Sequence, residues 1–459
     1  MSSEHVAIAG GGLAGLAAGC ALADAGFRIT LIEKRPFVGG RASSYEHPGT
    51  GEVVDNCQHV LLGCCTNLID FYRRTGVADK VRWYDRLTFI EPGGRRSEIS
   101  SSWLPPPFHT APSFLKASSL NLADKFAITQ AMMTIAYQPL QDTGENFMQW
   151  LKQHGQTMRA IDRFWKVVLV SALNEDLERM SVQYAAQVFR ESFLKSRGGG
   201  LMGVPRVPLT ELYGAAAEYI CARGGEVRLR ASAESFRAEA GEVRLCVNGQ
   251  ELPCDFAVLA VPFDALDRLL PQSEAARPLA AMIARFETSP ITGIHLWFDH
   301  EITDLDHAVL LNRTIQWMFH KSRLLGRGGP SYVELVVSSS KALVEKPRGE
   351  IIEMALRELG EFFPAAREAK LLKATVIKEV HATYSALPGS DAYRPPAATG
   401  WPRVFLAGDW TRSGWPATME GAVRSGYLAA EAVAQAVGMR ARFLVGDLPA
   451  KGLMRICSL

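Results

Sequence analysis

Three glycines and a carboxylate near the start of the chain have the types and the spacing to hold a phosphate-linked cofactor. Gly10, Gly12 and Gly15 fill a G-x-G-x-x-G pattern directly after the apolar run His5-Val-Ala-Ile-Ala9. In such a turn the first glycine permits the bend, the second lets backbone approach a pyrophosphate, and the third lets the next helix lie close on the strand. The helix that follows would turn its unpaired N–H groups toward phosphate oxygens, with Leu13 and Ala14 in the turn as further cofactor contacts. Glu33, followed by Lys34, comes eighteen residues after Gly15, where a carboxylate meets the ribose hydroxyls of an adenine dinucleotide. The competing reading is an ordinary βαβ unit with a surface Glu.

A second group of reactive side chains interrupts the apolar stretch from Gly51 to Gly63: Asp55, Asn56, Gln58 and His59. Such groups are costly to bury without hydrogen bonds, so they are either paired within the protein or turned toward a ligand. For His59 this means a core histidine with satisfied nitrogens or a side chain beside a cofactor. Asn174 and Glu175 break a later apolar run in the same way, as polar groups of a tunnel or as a helix cap and an ion pair. Gly198 to Gly203 repeats the glycine formula, but no strand precedes it and Pro205 and Pro208 forbid the helix that must follow. A second dinucleotide site for NADPH is therefore not expected.

The elements that must position these residues follow from periodicity. Leu16 to Ala25 reads as a helix stopped by Gly26, and Phe27 to Glu33 as a strand. The chain is helical from about Leu122 to Gln138, through most of Asn146 to Leu194, and from Leu209 to Ala222. Strands return at Glu226 and at Phe256 to Pro262. Ile291–Phe298, Ile315–Phe319 and Ser331–Ser338 read as a further sheet, with a helix at Ile351–Phe362 and a strand at Ala374–Tyr384. Val404-Phe-Leu-Ala-Gly-Asp409 is an apolar strand running into Gly408 and Asp409, and an Ala-rich helix opens at Met419 and Ala422. Phe147, Trp150, Phe164 and Trp165 recur at helical spacing as core residues or as the walls of a tunnel.

Hydrophobic residues make up 47% of the 459 positions and charged residues 21%, enough for two full cores. A net charge of +2 gives no reason to expect nucleic acid. The eight cysteines contain no C-x-x-C pair, so reduced thiols and no metal site are expected, in a cytoplasmic protein. No signal peptide opens the chain and no apolar run is long enough to span a bilayer.

Gly39-Gly40-Arg41 after the acid resembles the second phosphate motif of the FAD-dependent amine oxidase and carotenoid desaturase superfamily, and Gly408-Asp409 with Met419-Glu-Gly-Ala422 resembles its C-terminal flavin motif. The resemblance implies FAD, held by Gly40, Arg41, Gln58, Gly408, Asp409, Met419 and Ala422, with Ala233 near the adenine. It also implies an α/β fold, a Rossmann-like FAD-binding domain interleaved with an α+β substrate domain. Val54 to Asn67, Phe164 to Glu175 and Val204 to Leu209 are similar to plant-type carotene desaturases and, more closely, to the hydroxysqualene dehydroxylases of bacterial hopanoid pathways. Thr418 stands where amine oxidases commonly place an aromatic residue, which counts against amine oxidation.

The expectations follow. Residues 1–95, 205–285 and 386–438 form the FAD-binding domain, 96–204 a helical substrate or membrane-facing region, 286–385 the substrate sheet and 439–459 a tail. The resemblance implies reductive dehydroxylation of hydroxysqualene or, alternatively, oxidative desaturation of a carotenoid or squalene-type polyene. A non-catalytic FAD-containing prenyl-lipid carrier is the reading from another class. His59 is the first candidate proton donor, followed by Asp55 and Glu175. A substrate of about thirty carbons prefers lipid to water by on the order of 20 kcal/mol, so it should enter from a bilayer. Contact with the inner face of the cytoplasmic membrane and with squalene-synthase-like enzymes is expected. Residues 103–138 and the basic tail are candidates for lipid contact or for ordinary packing, and the electron donor is left open.

Overall fold

The computed structural model describes residues 4–458 apart from positions 139, 240 and 327. Its first sheet is parallel and five-stranded, in the order Glu226–Leu229, Arg28–Glu33, His5–Ala9, Phe256–Leu259 and Val404–Leu406. Alternation explains why these short strands are apolar on both sides. Val6 and Ile8 pack on the helices Leu13–Asp24, Leu209–Ala222 and Met419–Ala436. Ala7 and Ala9 face the antiparallel sheet Ala233–Glu239, Glu242–Val247 and Gln250–Cys254 through Phe236 and Leu245. Strands from both ends of the sequence thus finish at one edge of one sheet.

The second sheet has seven strands, ordered Leu371–Tyr384, Thr288–Phe298, Ser331–Ser338, Trp317–His320, His307–Leu310, Arg86–Ile90 and Arg96–Ser100. Ile294, Leu296 and Leu335 on one face pack against the helix Arg348–Phe362. The other face turns to the segment Val54–Leu62, through Trp297, Tyr332 and Ile377 at one end and Ile291, Phe319 and Val336 at the other. The hairpin 86–100 belongs to this sheet, so the first FAD-binding part ends before residue 86 and not at 95. Its neighbouring strand, His307–Leu310, lies far along the chain and leaves no local signal beside the hairpin.

Between the two domains, residues 103–200 fold as helices around Phe147, Trp150, Trp165 and Phe189, which pack ring on ring as core. Asn121 and Asp124 form a reciprocal cap on the helix Leu122–Tyr137. Residues 198–203 form one short helical turn and the start of a strand paired with Leu61–Leu62, so this glycine run opens no phosphate-binding helix. The tail is tied down: the Phe443 and Leu444 N–H groups donate to Glu431, the Val445 N–H to Asn67 Oδ1 at 2.8 Å, and the Leu453 N–H to the Pro106 carbonyl at 3.0 Å. Among the described residues no helix is long and apolar enough to cross a membrane.

Candidate functional site

The two glycine turns are built into each other. Gly10 sits at φ +115°, and a Cβ there would lie 2.4 Å from the Ala260 carbonyl oxygen, so the bend admits glycine alone. The Gly39 N–H donates to the Gly11 carbonyl at 2.8 Å. A Cβ on Gly40, at φ +61°, would lie 2.9 Å from the Gly12 Cα. On Gly12 itself a Cβ would meet nothing nearer than the Gly40 Cα at 3.9 Å, so a side chain would project into an open cradle. Leu13, Ala14 and Gly15 are buried in the helix turn beneath it. Glu33 closes one end, its carboxylate accepting from the N–H groups of Gly11 and Arg35, both at 2.8 Å. The Ala231 N–H bonds the Glu33 carbonyl at 2.9 Å, which brings Ala233 to the same end, whereas Lys34 is exposed.

The other end is a clasp between motifs from opposite ends of the sequence. Arg41 Nη2 donates to Asp409 Oδ1 at 2.5 Å, and Arg41 Nη1 to the Ala382 carbonyl at 3.1 Å. Gly408 is fixed by its N–H to Ser425 Oγ at 2.8 Å, and Thr418 caps the helix Met419–Ala436 by accepting from the Gly421 N–H at 3.1 Å. Met419 and Ala422 therefore sit in the first turn of a capped helix, with the Tyr213 hydroxyl on the Met419 sulfur at 3.2 Å. An open cradle of backbone, a buried acid at one end and a clasp beside a helix start at the other fit FAD.

From the clasp the chain runs into the polar segment. Asn56 Nδ2 donates to the Arg41 carbonyl at 2.8 Å and Asn56 Oδ1 accepts from the Ser43 N–H at 3.2 Å. Asp55 is buried against Lys321, 2.6 Å from its Nζ, and accepts from the Ser44 hydroxyl at 2.5 Å and the Leu209 N–H at 3.3 Å. Burial pushes the Asp55 carboxyl upward, but Lys321 and these donors outweigh it and hold it below its usual value. Lys321 also donates to Gln58 Oε1 at 2.7 Å and lies 3.5 Å from Glu334. Its own burial is outweighed by Asp55 and Glu334, so its ammonium is held above its usual value. Burial pushes Glu334 up to about 8.

Lys321 and Glu334 were not legible in the sequence as site residues, since Lys321 meets Asp55 and Gln58 across separations of 266 and 263 positions. Gln58, expected to touch the cofactor, spends its oxygen on Lys321 and its nitrogen on the His59 carbonyl at 2.9 Å. His59 is half-buried, and its Nδ1–H donates to the Cys57 carbonyl at 2.8 Å. Burial lowers its pKa, which favours the neutral ring with Nε2 as an acceptor. Glu175 lies apart, its buried carboxylate paired with the exposed Lys341 and 3.5 Å from Arg179, and among the described residues it shares no ion-pair partner with Asp55 or His59. Asn174, in a left-handed conformation, closes the helix Lys166–Leu173 and bonds Ser289, Thr383 and Ser339. The cap and ion-pair reading of these two residues is the one the structure shows.

An apolar cavity of about 150 Å³ lies in the helical region, lined among others by Leu87, Phe89, Phe108, Phe114, Met132 and Phe164. Leu87 also packs, with Trp317, Ile291, Leu62 and Val60, against the buried cluster of Met202, Val204 and Phe319. Outside the cavity Trp103, Leu115, Leu122 and Phe126 are 81%, 61%, 82% and 65% exposed.

Among curated relatives, the 15-cis-phytoene desaturase of Synechococcus elongatus is 27% identical over 94% of this chain and 95% of its own. The probable zeta-carotene desaturase of the same organism is 25% identical over 95% of this chain and 100% of its own. Of the solved structures, an oxidoreductase from Methanosarcina mazei matches with a TM-score of 0.73 at 18% identity, over 94% of this chain and 100% of its own. A putrescine oxidase matches at 0.72 and 17%, over 95% and 99%. At these identities the structures show the fold alone. The family model of flavin containing amine oxidoreductases matches residues 13–434, from the helix that leaves the first glycine turn through the second glycine turn and the clasp into the capped helix, and the chain belongs to that family with FAD as its cofactor.

Proposed function

We propose that this flavin oxidoreductase acts on a long polyisoprenoid lipid, exchanging hydride at an allylic carbon. The observation that carries the reading is the apolar cavity walled by Phe89, Phe114 and Phe164, with the exposed Phe108 among its lining residues. Bound FAD supplies two-electron chemistry. The chain's own residues exclude water with the walls of Phe89, Phe114 and Phe164, present neutral His59 as a proton acceptor, and hold the cofactor in the Gly12 cradle under the Arg41–Asp409 clasp. The exposed apolar side chains would meet the inner face of a cytoplasmic membrane, from which such a lipid enters.

Oxidative desaturation of a carotenoid or squalene-type polyene is favoured by the curated relatives. A second reading, reductive dehydroxylation of hydroxysqualene to squalene, is favoured by the segments Val54–Asn67, Phe164–Glu175 and Val204–Leu209. Amine oxidation is disfavoured, because Thr418 is not aromatic and its hydroxyl serves as the helix cap. One anaerobic experiment separates the readings. Bleaching of oxidised enzyme by phytoene or squalene supports desaturation. Reoxidation of photoreduced enzyme by hydroxysqualene, matched by squalene formation, supports dehydroxylation, and a flavin unresponsive to every lipid overturns both in favour of a carrier.

A further inference from the structure

Asp55, Lys321 and Glu334 meet in the interior with side chains 5%, 3% and 0% exposed. Two carboxyls and one ammonium balance only if one carboxyl keeps its proton. Asp55 has Lys321 at 2.6 Å, a hydroxyl and a backbone N–H on its oxygens, whereas Glu334 is held more loosely, by Lys321 at 3.5 Å and the Gln58 backbone. Glu334 is thus the protonated member.

The ammonium does more than balance charge. Lys321 reaches the turn Asp55–His59 at two points, Asp55 and Gln58, and Gln58 passes the hold to the His59 carbonyl. Between those points Asn56 is tied to Arg41 on the cofactor side. The turn is gripped from the substrate sheet by one side chain and from the cradle by another.

We propose that Lys321 is a positioning residue, which locks the Asp55–His59 turn to the substrate sheet and thereby sets the conformation in which that turn meets the flavin cradle. The inference deepens the proposed function and rests on it for the role of His59. The other titratable groups facing the trio are His295, on the neighbouring strand with Nδ1 2.7 Å from the Tyr332 hydroxyl, and Cys57 and His59 on the turn itself. Burial keeps His295 neutral, at about 3, and the Cys57 thiol protonated. His47, Glu379 and Arg41 act from the rim.

The charge balance has a pH signature. Unfolded, Glu334 gives up its proton near 4.5, and folded near 8. Its contribution to stability is whole below the lower value and is lost as the pH rises through the upper one. The test uses full-length, FAD-loaded protein carrying Lys321→Met, Lys321→Arg, Glu334→Gln or the charge-balanced pair Asp55→Asn with Lys321→Met. Expected is that Glu334→Gln flattens the fall of Tm between pH 4.5 and about 8. Lys321→Met changes the visible circular dichroism of the bound flavin and slows lipid-dependent flavin turnover roughly a hundredfold at unchanged FAD content. Lys321→Arg restores part of both, and the charge-balanced pair restores Tm without restoring turnover or dichroism. The proposal is overturned if Lys321→Met leaves the dichroism unchanged, or if the charge-balanced pair, which decides the matter should Lys321→Met not fold, behaves as wild type in every readout. A wild-type flavin that responds to no lipid would sink the polyisoprenoid reading alone, since the dichroism still tests the grip.

Discussion

Gly12 and Asp409 do opposite things for the cofactor, and single substitutions separate them. A Cβ on Gly12 meets no atom closer than 3.9 Å, so Gly12→Val fills the cradle without disturbing its walls. Flavin retention after gel filtration should be abolished while the Tm of the apo-protein moves by no more than about 2 °C. Asp409→Ala opens the clasp and removes a charge-assisted bond of roughly 1.5–3 kcal/mol. FAD affinity should weaken by about ten- to a hundredfold, as read by flavin fluorescence on dilution, and an unchanged affinity would dissociate the clasp from cofactor binding. The two glycine turns and the turn at Gly408 were legible in the sequence because backbone turns are written in glycines. Side-chain roles were less so: Gln58 and Glu175 have the right chemical types, but their partners Lys321 and Lys341 lie hundreds of positions, or nearly so, along the chain.

Helix ends carry much of the site's geometry. The helix Thr66–Arg74 is capped by a carboxylate from another helix, Glu420, which accepts from the Asn67 N–H at 3.2 Å, Asn67 Nδ2 at 2.9 Å and the Leu68 N–H at 2.8 Å. Burial raises the Glu420 pKa, against the pull of these donors. Glu420→Ala should cost roughly 2–3 kcal/mol, seen as a lowered urea midpoint, with Glu420→Gln intermediate. The helix Leu122–Tyr137 makes a different prediction. Replacing exposed Leu122 and Phe126 by Ser should leave the urea midpoint within about 0.5 kcal/mol and reduce sedimentation with anionic vesicles roughly tenfold. Equal sedimentation would remove the membrane from the reading. Helices and parallel strands matched their sequence patterns to within a few residues, Leu209–Ala222 without any shift. The hairpin 86–100 did not reveal its sheet, because alternation shows a strand's faces but not its neighbour.

Across the whole molecule, Arg394 links the helical region to the cofactor domain. It is fully buried, donating to the carbonyls of Asp409, at 2.9 Å, and Thr411, to Ser413 Oγ at 3.1 Å, and to the Tyr184 hydroxyl from the helix Val182–Phe189. Arg394→Met strands these carbonyls and should cost roughly 3–5 kcal/mol while releasing flavin, measured by Tm and flavin content together. Two interleaved domains could be inferred from cofactor motifs at both ends of the sequence. Their joining by one arginine could not, because nothing near Arg394 marks a cation destined for the interior. The clasp of Arg41 with Asp409 also has a consequence for biosynthesis. While the chain is still emerging from the ribosome, its first glycine turns can fold, yet half of the flavin's seat has not been made. The flavin's seat is therefore complete only once the chain has been made past the start of the helix Met419–Ala436.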